Sequence, residues 1–389
     1  MGLTKRPSLG EERKVRVAAT APSFSPEAIE FVTSRLRTML ENKAFLSMGP
    51  YCEEFEQRFA QYVGAKYAAA TNSGTSALEI ICRALNVKGK EVVVATNTFA
   101  ASAYAVINAG GKPVFADVAG DLCMDPADLE RRLTPKTAAV MTVDIGGLVS
   151  PNTLRIQEIC RRQGIPLIED ACQAHGTTLG GKQAGAFGIA GAFSFFPTKL
   201  MTTGEGGMLV TDDEHIYKEA LILRNQGKDE TRNGPYQNFY DRMGYNWRLT
   251  EIAALIGISQ LAEVEQFIHR RHEIARLYDR LLGPVESIRI LKTPPQVRHN
   301  YYKYVAFLDG QDREALQARM KDEFGVSLSG YVYEIPLHKQ PIFKRYSPNA
   351  LPVSEKLCAT HICLPLYPSL KNEEAEHVAA SLKKCLTCA

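Results

Sequence analysis

The sequence predicts an α/β protein: a large αβα unit with a mostly parallel sheet, followed by a smaller C-terminal α+β domain. Over the N-terminal half, short apolar segments rich in β-branched residues alternate with helical patterns, which is typical of a parallel sheet covered on both faces. A long helical pattern follows, and beyond it the chain changes to short strands and turns. The 389 residues exceed one typical core, and we place the two domains at residues 1–262 and 263–389.

The elements follow from local patterns in chain order. Short apolar segments predict strands at residues 91–95, 113–118, 138–143 and 166–169. Amphipathic spacing predicts helices at residues 53–62, 75–85, 99–109, 126–133 and 153–163. Two further strands, at 190–195 and 208–211, enclose a glycine-rich loop. Thr250 is a candidate N-cap for a helix that continues to about residue 282, and a final helix is predicted near 372–386.

The composition excludes several classes of function. The net charge of +3 is small and spread along the chain, so we expect no nucleic-acid partner. No apolar run approaches the roughly 18 residues that span a bilayer, and the polar N-terminus has no signal-peptide core, so we expect a cytoplasmic protein without a membrane partner. The nine cysteines are expected to be reduced thiols, and the Cys385-x-x-Cys388 spacing alone does not make a metal site.

A small polar segment, SGTSAL at 73–78, leads directly into a predicted helix. The free N–H groups and the positive dipole end of such a helix suit a phosphate group. An ordinary Ser or Thr N-cap explains the same residues.

Two further segments carry titratable side chains after predicted strands. Asp170 lies at the end of a buried strand in IEDACQAHG, where open α/β sheets bind ligands and where a carboxylate can pair with a cationic ring nitrogen. Lys199 follows an apolar strand and a proline turn in FSFFPTKL, and desolvation would make it a nucleophile towards aldehydes. A strand-end acid that caps a turn and a solvated surface lysine are the structural alternatives.

In their order along the chain, these segments resemble the DegT-type sugar aminotransferases, within the fold-type I enzymes that depend on pyridoxal 5'-phosphate (PLP). The resemblance covers the chain from about residue 49 to its C-terminus. It rests on these stretches: SGTSAL at 73–78, TNTFAAS at 96–102, IEDACQAHG at 168–176, FSFFPTKL at 193–200, GEGGMLVT at 204–211, GYNWRLTEIAALIG at 244–257 and IPLH at 335–338.

The resemblance implies roles for the residues around the cofactor ring. Lys199 matches the lysine that binds PLP as a Schiff base, and Asp170 matches the acid that pairs with the pyridinium nitrogen. Gln173 occupies the position that contacts the phenolic oxygen, and Phe99 the position whose ring stacks on the cofactor. The expected chemistry is a two-stage amino transfer in which Lys199, once displaced, moves the proton.

The resemblance also implies how the phosphate is held. Gly74, Thr75 and Ser194 match its phosphate-binding positions. Asn246 matches an asparagine that reaches the phosphate of the neighbouring subunit. The family therefore implies a homodimer with shared active sites.

Contacts with the substrate are predicted for three side chains. The guanidinium of Arg248 suits a donor carboxylate or a nucleotide phosphate, although a structural ion pair explains it equally well. Tyr331 and His338 lie in the segment expected to shape the substrate pocket, where core packing is the alternative.

The predicted function is amino transfer from glutamate, or glutamine, to a nucleotide-linked keto-deoxyhexose in amino-sugar biosynthesis. An aminotransferase for a keto-cyclitol, as in aminoglycoside assembly, is the alternative enzyme. A PLP-dependent sugar dehydratase would carry histidine at the position of Lys199. A non-catalytic, PLP-binding regulatory protein is the alternative of another class.

Four positions depart from the family pattern. Asp144 and Gln226 replace common histidines, Ala95 replaces a common proline, and Cys172 replaces a common alanine. These changes either mark a substrate subgroup or are neutral for packing.

Overall fold

The computed structural model describes residues 16–229, 240, 242–347 and 350–387. The helices in this part of the chain are α1 (Pro26–Glu41), α2 (Pro50–Val63), α3 (Gly74–Ala84), α4 (Ala100–Asn108), α5 (Pro126–Arg132), α6 (Asn152–Gln163), α7 (Glu214–Arg224), α8 (Glu251–Leu282), α9 (Arg313–Phe324), α10 (Pro352–Thr360) and α11 (Asn372–Thr387). The strands are β1 (Tyr67–Thr71), β2 (Glu91–Ala95), β3 (Lys112–Ala116), β4 (Thr137–Val143), β5 (Leu167–Asp170), β6 (Thr178–Leu179), β7 (Lys182–Gln183), β8 (Ala190–Ser194), β9 (Gly207–Thr211), β10 (Arg289–Ile290), β11 (Val297–Arg298), β12 (Tyr304–Phe307) and β13 (His361–Leu364).

The central sheet has seven strands in the order β1-β9-β8-β5-β4-β2-β3. The strands from β8 to β3 are mutually parallel, whereas β9 is antiparallel to both β8 and β1. Successive side chains of a strand point to opposite faces. In β2, Val92 and Val94 pack with α3 and α4 on one face, while Val93 and Ala95 pack with α6 on the other. Burial on both faces explains why these strands are continuous apolar segments.

Helix α8 joins two packed units. Thr250 caps it, because its hydroxyl accepts a hydrogen bond from the amide of Ala253 at 3.2 Å. Ile258, in the first half of the helix, packs with α2 against the central sheet, whereas Ile274 belongs to a separate apolar cluster with β12, β13, α9 and α11. A domain boundary after residue 262 stays a prediction.

The second unit contains the antiparallel sheet β10-β12-β13 with α9, α10 and α11. Val17, close to the start of the described chain, bridges to Val326 and is fully buried in the core of this unit. Residues that follow β2, β5 and β8 face this unit across a cavity, so the carboxyl ends of the parallel strands become the floor of a cleft.

The predicted fold class is confirmed: the protein is α/β with a mostly parallel sheet covered by helices. The predicted strands and helices of the N-terminal half lie within a few residues of those observed. Helix α1, helix α7 and strand β1 were not among the predictions, and β1 reads YAAAT, whose three alanines have little strand propensity.

Three findings bear on the expected absences. No helix of the described residues is long and apolar enough to cross a bilayer. The same part of the chain holds no group of three His, Cys, Asp or Glu side chains arranged for a metal ion. Cys385 is buried, whereas Cys388 lies outside the described residues.

Candidate active site

A cavity of about 420 Å³ lies between the carboxyl ends of the parallel strands and the second unit. Its floor comes from the segments that follow β2, β5 and β8, and its wall comes from the chain around β12 and from residues 331–333. Most of the predicted site residues line it: Gly74, Thr75, Phe99, Asp170, Gln173, Ser194, Lys199 and Tyr331.

Lys199 lies in a tight turn after β8. Its amide donates to the carbonyl of Phe196 at 2.9 Å, which brings the half-buried side chain back over the floor of the cavity. The ammonium nitrogen lies 5.0 Å from the centre of the Tyr302 ring, in cation–π contact. Burial raises the pKa of Tyr302, but the positive charges of Lys199 and Lys303 outweigh it, so the pKa of this phenol lies below its ordinary value.

Asp170 ends β5, the strand that lies between β4 and β8. Its side chain is 5% exposed, so water contributes little to its solvation. The hydroxyl of Ser102 donates to Oδ2 at 2.7 Å, and the amide of Cys172 donates to Oδ1 at 3.3 Å. Such hydrogen bonds hold the carboxylate in one orientation, which a cationic partner in the cavity requires.

The amide of Gln173 is held at both ends. Its Oε1 accepts a hydrogen bond from the Gly146 amide at 2.8 Å, and its Nε2 donates to the hydroxyl of Tyr333 at 2.6 Å. Burial raises the pKa of Tyr333 well above its ordinary value, so the phenol stays neutral. Both side chains line the cavity with neutral groups that donate or accept hydrogen bonds.

The start of α3 forms a cup for an anion. Ser73 is the N-cap, with its hydroxyl accepting from the Ser76 amide at 3.1 Å. At Gly74 an added Cβ would lie 2.7 Å from the sulfur of Cys172 and 3.0 Å from the Cβ of Ser194, so only glycine leaves this space open. The free N–H groups at the helix start and the hydroxyls of Thr75 and Ser194 therefore converge on one part of the cavity.

Phe99 presents its ring to the cavity beside Tyr333. It is the N-cap residue of α4, its side chain is 62% exposed, and its ring lies 6.4 Å from that of Tyr333 with an angle of 29° between the planes. An exposed ring beside a buried carboxylate offers a flat apolar surface to a heteroaromatic ligand.

Asn246, Arg248 and His338, all within the described residues, do not line the cavity. Asn246 is exposed, and Arg248 donates to the side-chain oxygen of Asn225 at 2.8 Å. The two nitrogens of the buried His338 ring lie 2.8 Å from the Thr96 hydroxyl and 3.1 Å from Glu355. These partners place His338 in a network that ties residues 337–339 to the end of β2.

Two residues of the cavity region were missed by the sequence analysis. Ser102 lies three positions after Phe99, so both are on one face of α4, and this spacing could have indicated its contact with Asp170. Lys303 lines the cavity beside Tyr302. Nothing in the local pattern around Lys303 distinguishes it from a surface lysine.

Of the four residues that depart from the family pattern, only Asp144 has surroundings that are unusual for its side chain. Ala95 is buried in β2, Gln226 adopts a left-handed conformation with φ of 63°, and burial raises the pKa of the Cys172 thiol well above its ordinary value. Asp144 is the exception. It is 1% exposed, and no group of the described residues hydrogen-bonds to its Oδ2.

Asp144 lies beside a second buried carboxyl, that of Glu169. The amides of Gly185 and Phe187 donate to Glu169 at 2.7 and 2.8 Å and stabilise its charge. Burial and the neighbouring charge of Glu169 together raise the pKa of Asp144 well above its ordinary value. Burial also raises the pKa of Glu169, although its amide donors lower it, so we infer that the pair shares one proton and that Asp144 carries it.

The variant Asp144→Asn is expected to gain stability over the parent as the pH rises. A carboxyl whose pKa is raised by folding contributes its full stability below the unfolded pKa, and that contribution is lost as the pH rises through the folded pKa. Asparagine does not ionise in either state, and each tenfold change in proton affinity corresponds to about 1.4 kcal/mol. Thermal unfolding of both proteins near pH 5 and near pH 8 measures the difference.

The exposed substitution Asp309→Asn is the control, and its effect on the melting temperature should be the same at both pH values. A difference between Asp144→Asn and the parent that does not change with pH would contradict a neutral Asp144.

The residues that line the cavity fit PLP. The buried carboxylate of Asp170 suits a pyridinium nitrogen, the cup at Gly74 suits a phosphate, the ring of Phe99 suits the face of the cofactor, and the amine of Lys199 suits its aldehyde. In the bound cofactor, the protonated ring withdraws electrons from the substrate carbon and makes its proton removable.

Comparison with known proteins identifies the family. Residues 26–383 match the model of the DegT/DnrJ/EryC1/StrS aminotransferase family. The GDP-perosamine synthase of Escherichia coli O157:H7 is 33% identical over 93% of this chain and 96% of its own length. The UDP-N-acetyl-3-dehydro-alpha-D-glucosamine 3-aminotransferase of Acidithiobacillus ferrooxidans is 32% identical over 93% of this chain and 95% of its own.

The solved structures agree with the sequence comparisons. The protein Spr1654 of Streptococcus pneumoniae, solved in its PLP form, superposes with a TM-score of 0.88 at 25% identity and covers 96% of this chain and 99% of its own. The match extends over both packed units, and the cavity described above has the side chains that PLP requires. The chain therefore belongs to the DegT/DnrJ/EryC1/StrS aminotransferase family and is a PLP-dependent sugar aminotransferase.

Proposed function

We propose that this enzyme transfers an amino group from glutamate, or glutamine, to a nucleotide-linked keto-deoxyhexose in amino-sugar biosynthesis. The observation that carries the proposal is the cavity itself, in which the amine of Lys199 and the buried carboxylate of Asp170 are brought together with an anion cup. The similar curated proteins support the substrate class, because their names describe acting on or making GDP-, UDP- and dTDP-linked amino sugars.

Lys199 has two roles in the proposed reaction. Its amine would hold the cofactor, and once the amino-group donor had taken that place, the free amine would lie beside the substrate carbon and could move the proton. The cation–π contact with Tyr302 keeps the displaced amine over the cavity rather than in solvent. Asp170, oriented by Ser102, would pair with the ring nitrogen of the bound cofactor and favour its protonated form.

The remaining space of the cavity is available to the sugar. Tyr302, Tyr331 and Tyr333 line its wall, and rings with hydroxyl groups suit both the apolar face and the hydroxyls of a hexose. The neutral phenol of Tyr333 and the amide of Gln173 supply hydrogen bonds without adding charge.

A homodimer with shared active sites is part of the proposal. Asn246 is exposed and does not line the cavity of its own chain, as expected of a residue that serves a neighbouring subunit. Ser47 bridges to Thr250, so residues 45–48 lie beside this segment, and Phe45 and Met48 are 91% and 45% exposed there. Apolar side chains at such exposure are typical of a surface that a second copy covers.

The two stages of the reaction test the function separately. Glutamate should bleach the visible absorbance of the cofactor-loaded enzyme, and after its removal a nucleotide-linked keto-sugar should restore that absorbance. A panel of such sugars, together with one keto-inositol, identifies the substrate class. Recovery with the keto-inositol alone would instead indicate a cyclitol aminotransferase, and failure of both glutamate and glutamine to bleach the absorbance would indicate a non-catalytic protein.

A further inference from the structure

Lys303 is the second lysine that lines the active-site cavity. Its amide donates to the carbonyl of Gly146 at 3.0 Å, and its ammonium nitrogen donates to the carbonyl of Ser329 at 2.8 Å. An ammonium group has three N–H donors. Two of them therefore remain for a group in the cavity.

The charge of Lys303 has no carboxylate partner among the described residues. Its ammonium nitrogen instead lies 5.4 Å from the centre of the Tyr302 ring, which also contacts Lys199. Two positive charges thus flank one ring, and the lowered pKa of Tyr302 reflects both of them. A half-buried cation without an anion is costly, and a negatively charged ligand would remove that cost.

The backbone holds Lys303 firmly in this place. Asn300 is fully buried, and its Nδ2 donates to the carbonyls of Gln173 and His175 at 2.9 and 3.0 Å. Tyr301, between Asn300 and the cavity residues, has a φ of 51°, which an aromatic residue adopts only when its surroundings impose it. The corner at residues 300–303 is thus attached to the loop that carries Gln173, so Lys303 keeps a constant position relative to the cofactor cup.

We propose that Lys303 is a binding residue for a substrate oxyanion. The proposal deepens the proposed function and rests on it. The shared chemistry is an anionic oxygen that receives charge-assisted hydrogen bonds from the ammonium group. Two substrates could supply this oxygen: the amino donor through a carboxylate, or the nucleotide-linked sugar through its diphosphate.

The two stages of the reaction distinguish these sources. In Lys303→Met the concentration that half-saturates the affected stage should rise by about 10- to 100-fold, the range expected for the loss of a hydrogen bond to a charged group. A rise with glutamate alone assigns the carboxylate. A rise with the nucleotide-linked sugar alone assigns the diphosphate, and a neutral keto-inositol, if it is accepted, should then be unaffected.

Several controls keep the test decisive. The absorbance of the bound cofactor should be the same in Lys303→Met and the parent, Lys303→Arg should recover much of the affinity, and the exposed substitution Lys136→Met should change nothing. Lys303→Gln replaces Lys303→Met if that variant does not fold. Unchanged half-saturation in both stages, or a loss of cofactor binding, would overturn the proposal. Failure of the parent enzyme in either stage would reject the proposed function instead.

Discussion

Replacing Lys199 with alanine is expected to lower turnover by at least roughly 10⁴-fold, the upper end of what one positioned acid–base group contributes. The expected loss is this large because the same amine is proposed both to attach the cofactor and to move the proton. The side chain lies over the cavity in cation–π contact with Tyr302. Of the two lysines that line the cavity, Lys199 is the one that follows β8. Single-turnover rates and reductive trapping of the cofactor on the chain measure the two roles separately.

The proposed dimer makes this variant useful in a second way. Asn246→Asp places a negative charge where a phosphate of the neighbouring subunit is expected, so this variant should also be inactive. In mixed dimers of the two variants, one of the two sites combines an intact Lys199 with an intact Asn246. Co-expression should therefore recover about a quarter of the parent activity, as random pairing in a two-fold symmetric dimer requires.

Full activity of Asn246→Asp by itself would contradict a shared site. If the two variants form mixed dimers but the mixture recovers no activity, that result would also contradict a shared site. The exposed substitution Lys136→Ala is the control for Lys199→Ala, and it should retain parent activity and cofactor trapping.

Asp170→Asn is expected to lower turnover by roughly 10²- to 10³-fold, the size seen when one preorganised electrostatic group is removed from an active site. The amide has nearly the shape of the carboxylate but no charge, so it does not stabilise a protonated ring nitrogen. Because Asp170 is 5% exposed, water does not replace the missing charge. Turnover, cofactor affinity and the cofactor absorbance, each measured against pH, report this change.

Ser102→Ala is the matched variant, because it keeps the charge of Asp170 and removes the hydroxyl that donates to Oδ2 and also contacts the Thr98 hydroxyl. Its loss should be smaller, about tenfold, which corresponds to one hydrogen bond to a charged group. A loss in Ser102→Ala as large as that in Asp170→Asn would mean that the carboxylate acts through its orientation rather than its charge. Equal turnover of Asp170→Asn and the parent would exclude the proposed pairing.

Much of the site could be predicted because its residues lie at the ends of recognisable elements. Gly74 begins a helix after a polar turn, Asp170 ends a buried apolar strand, and Lys199 follows another. In a parallel sheet these ends meet at one edge, so the alternation of strands and helices is enough to bring them together. The cavity contains all three, as that pattern predicts.

The misses have a common cause. Strand β1 is an alanine-rich segment with little strand propensity of its own. It forms a strand because it pairs antiparallel with β9, which lies about 140 positions later in the chain. His338, which is predicted to contact substrate, does not line the cavity but lies beside Thr96 and Glu355, so its role stays a prediction. Local propensity carries no information about such distant partners.

By itself, the sequence determined the fold class and the capped start of α8, because periodicity and caps are local properties of the chain. The family resemblance of its motifs predicted the amine, the acid and the anion cup, and the residues of these motifs line one cavity. Only the tertiary structure decided which side chains support and complete them. Ser102 donates to Asp170, which is 68 positions later in the chain. Lys303 lines the cavity because Asn300, three positions before it, is hydrogen-bonded to Gln173 and His175, more than 120 positions earlier in the chain. Contacts at such separations depend on how helices and sheets pack, and no local pattern encodes them.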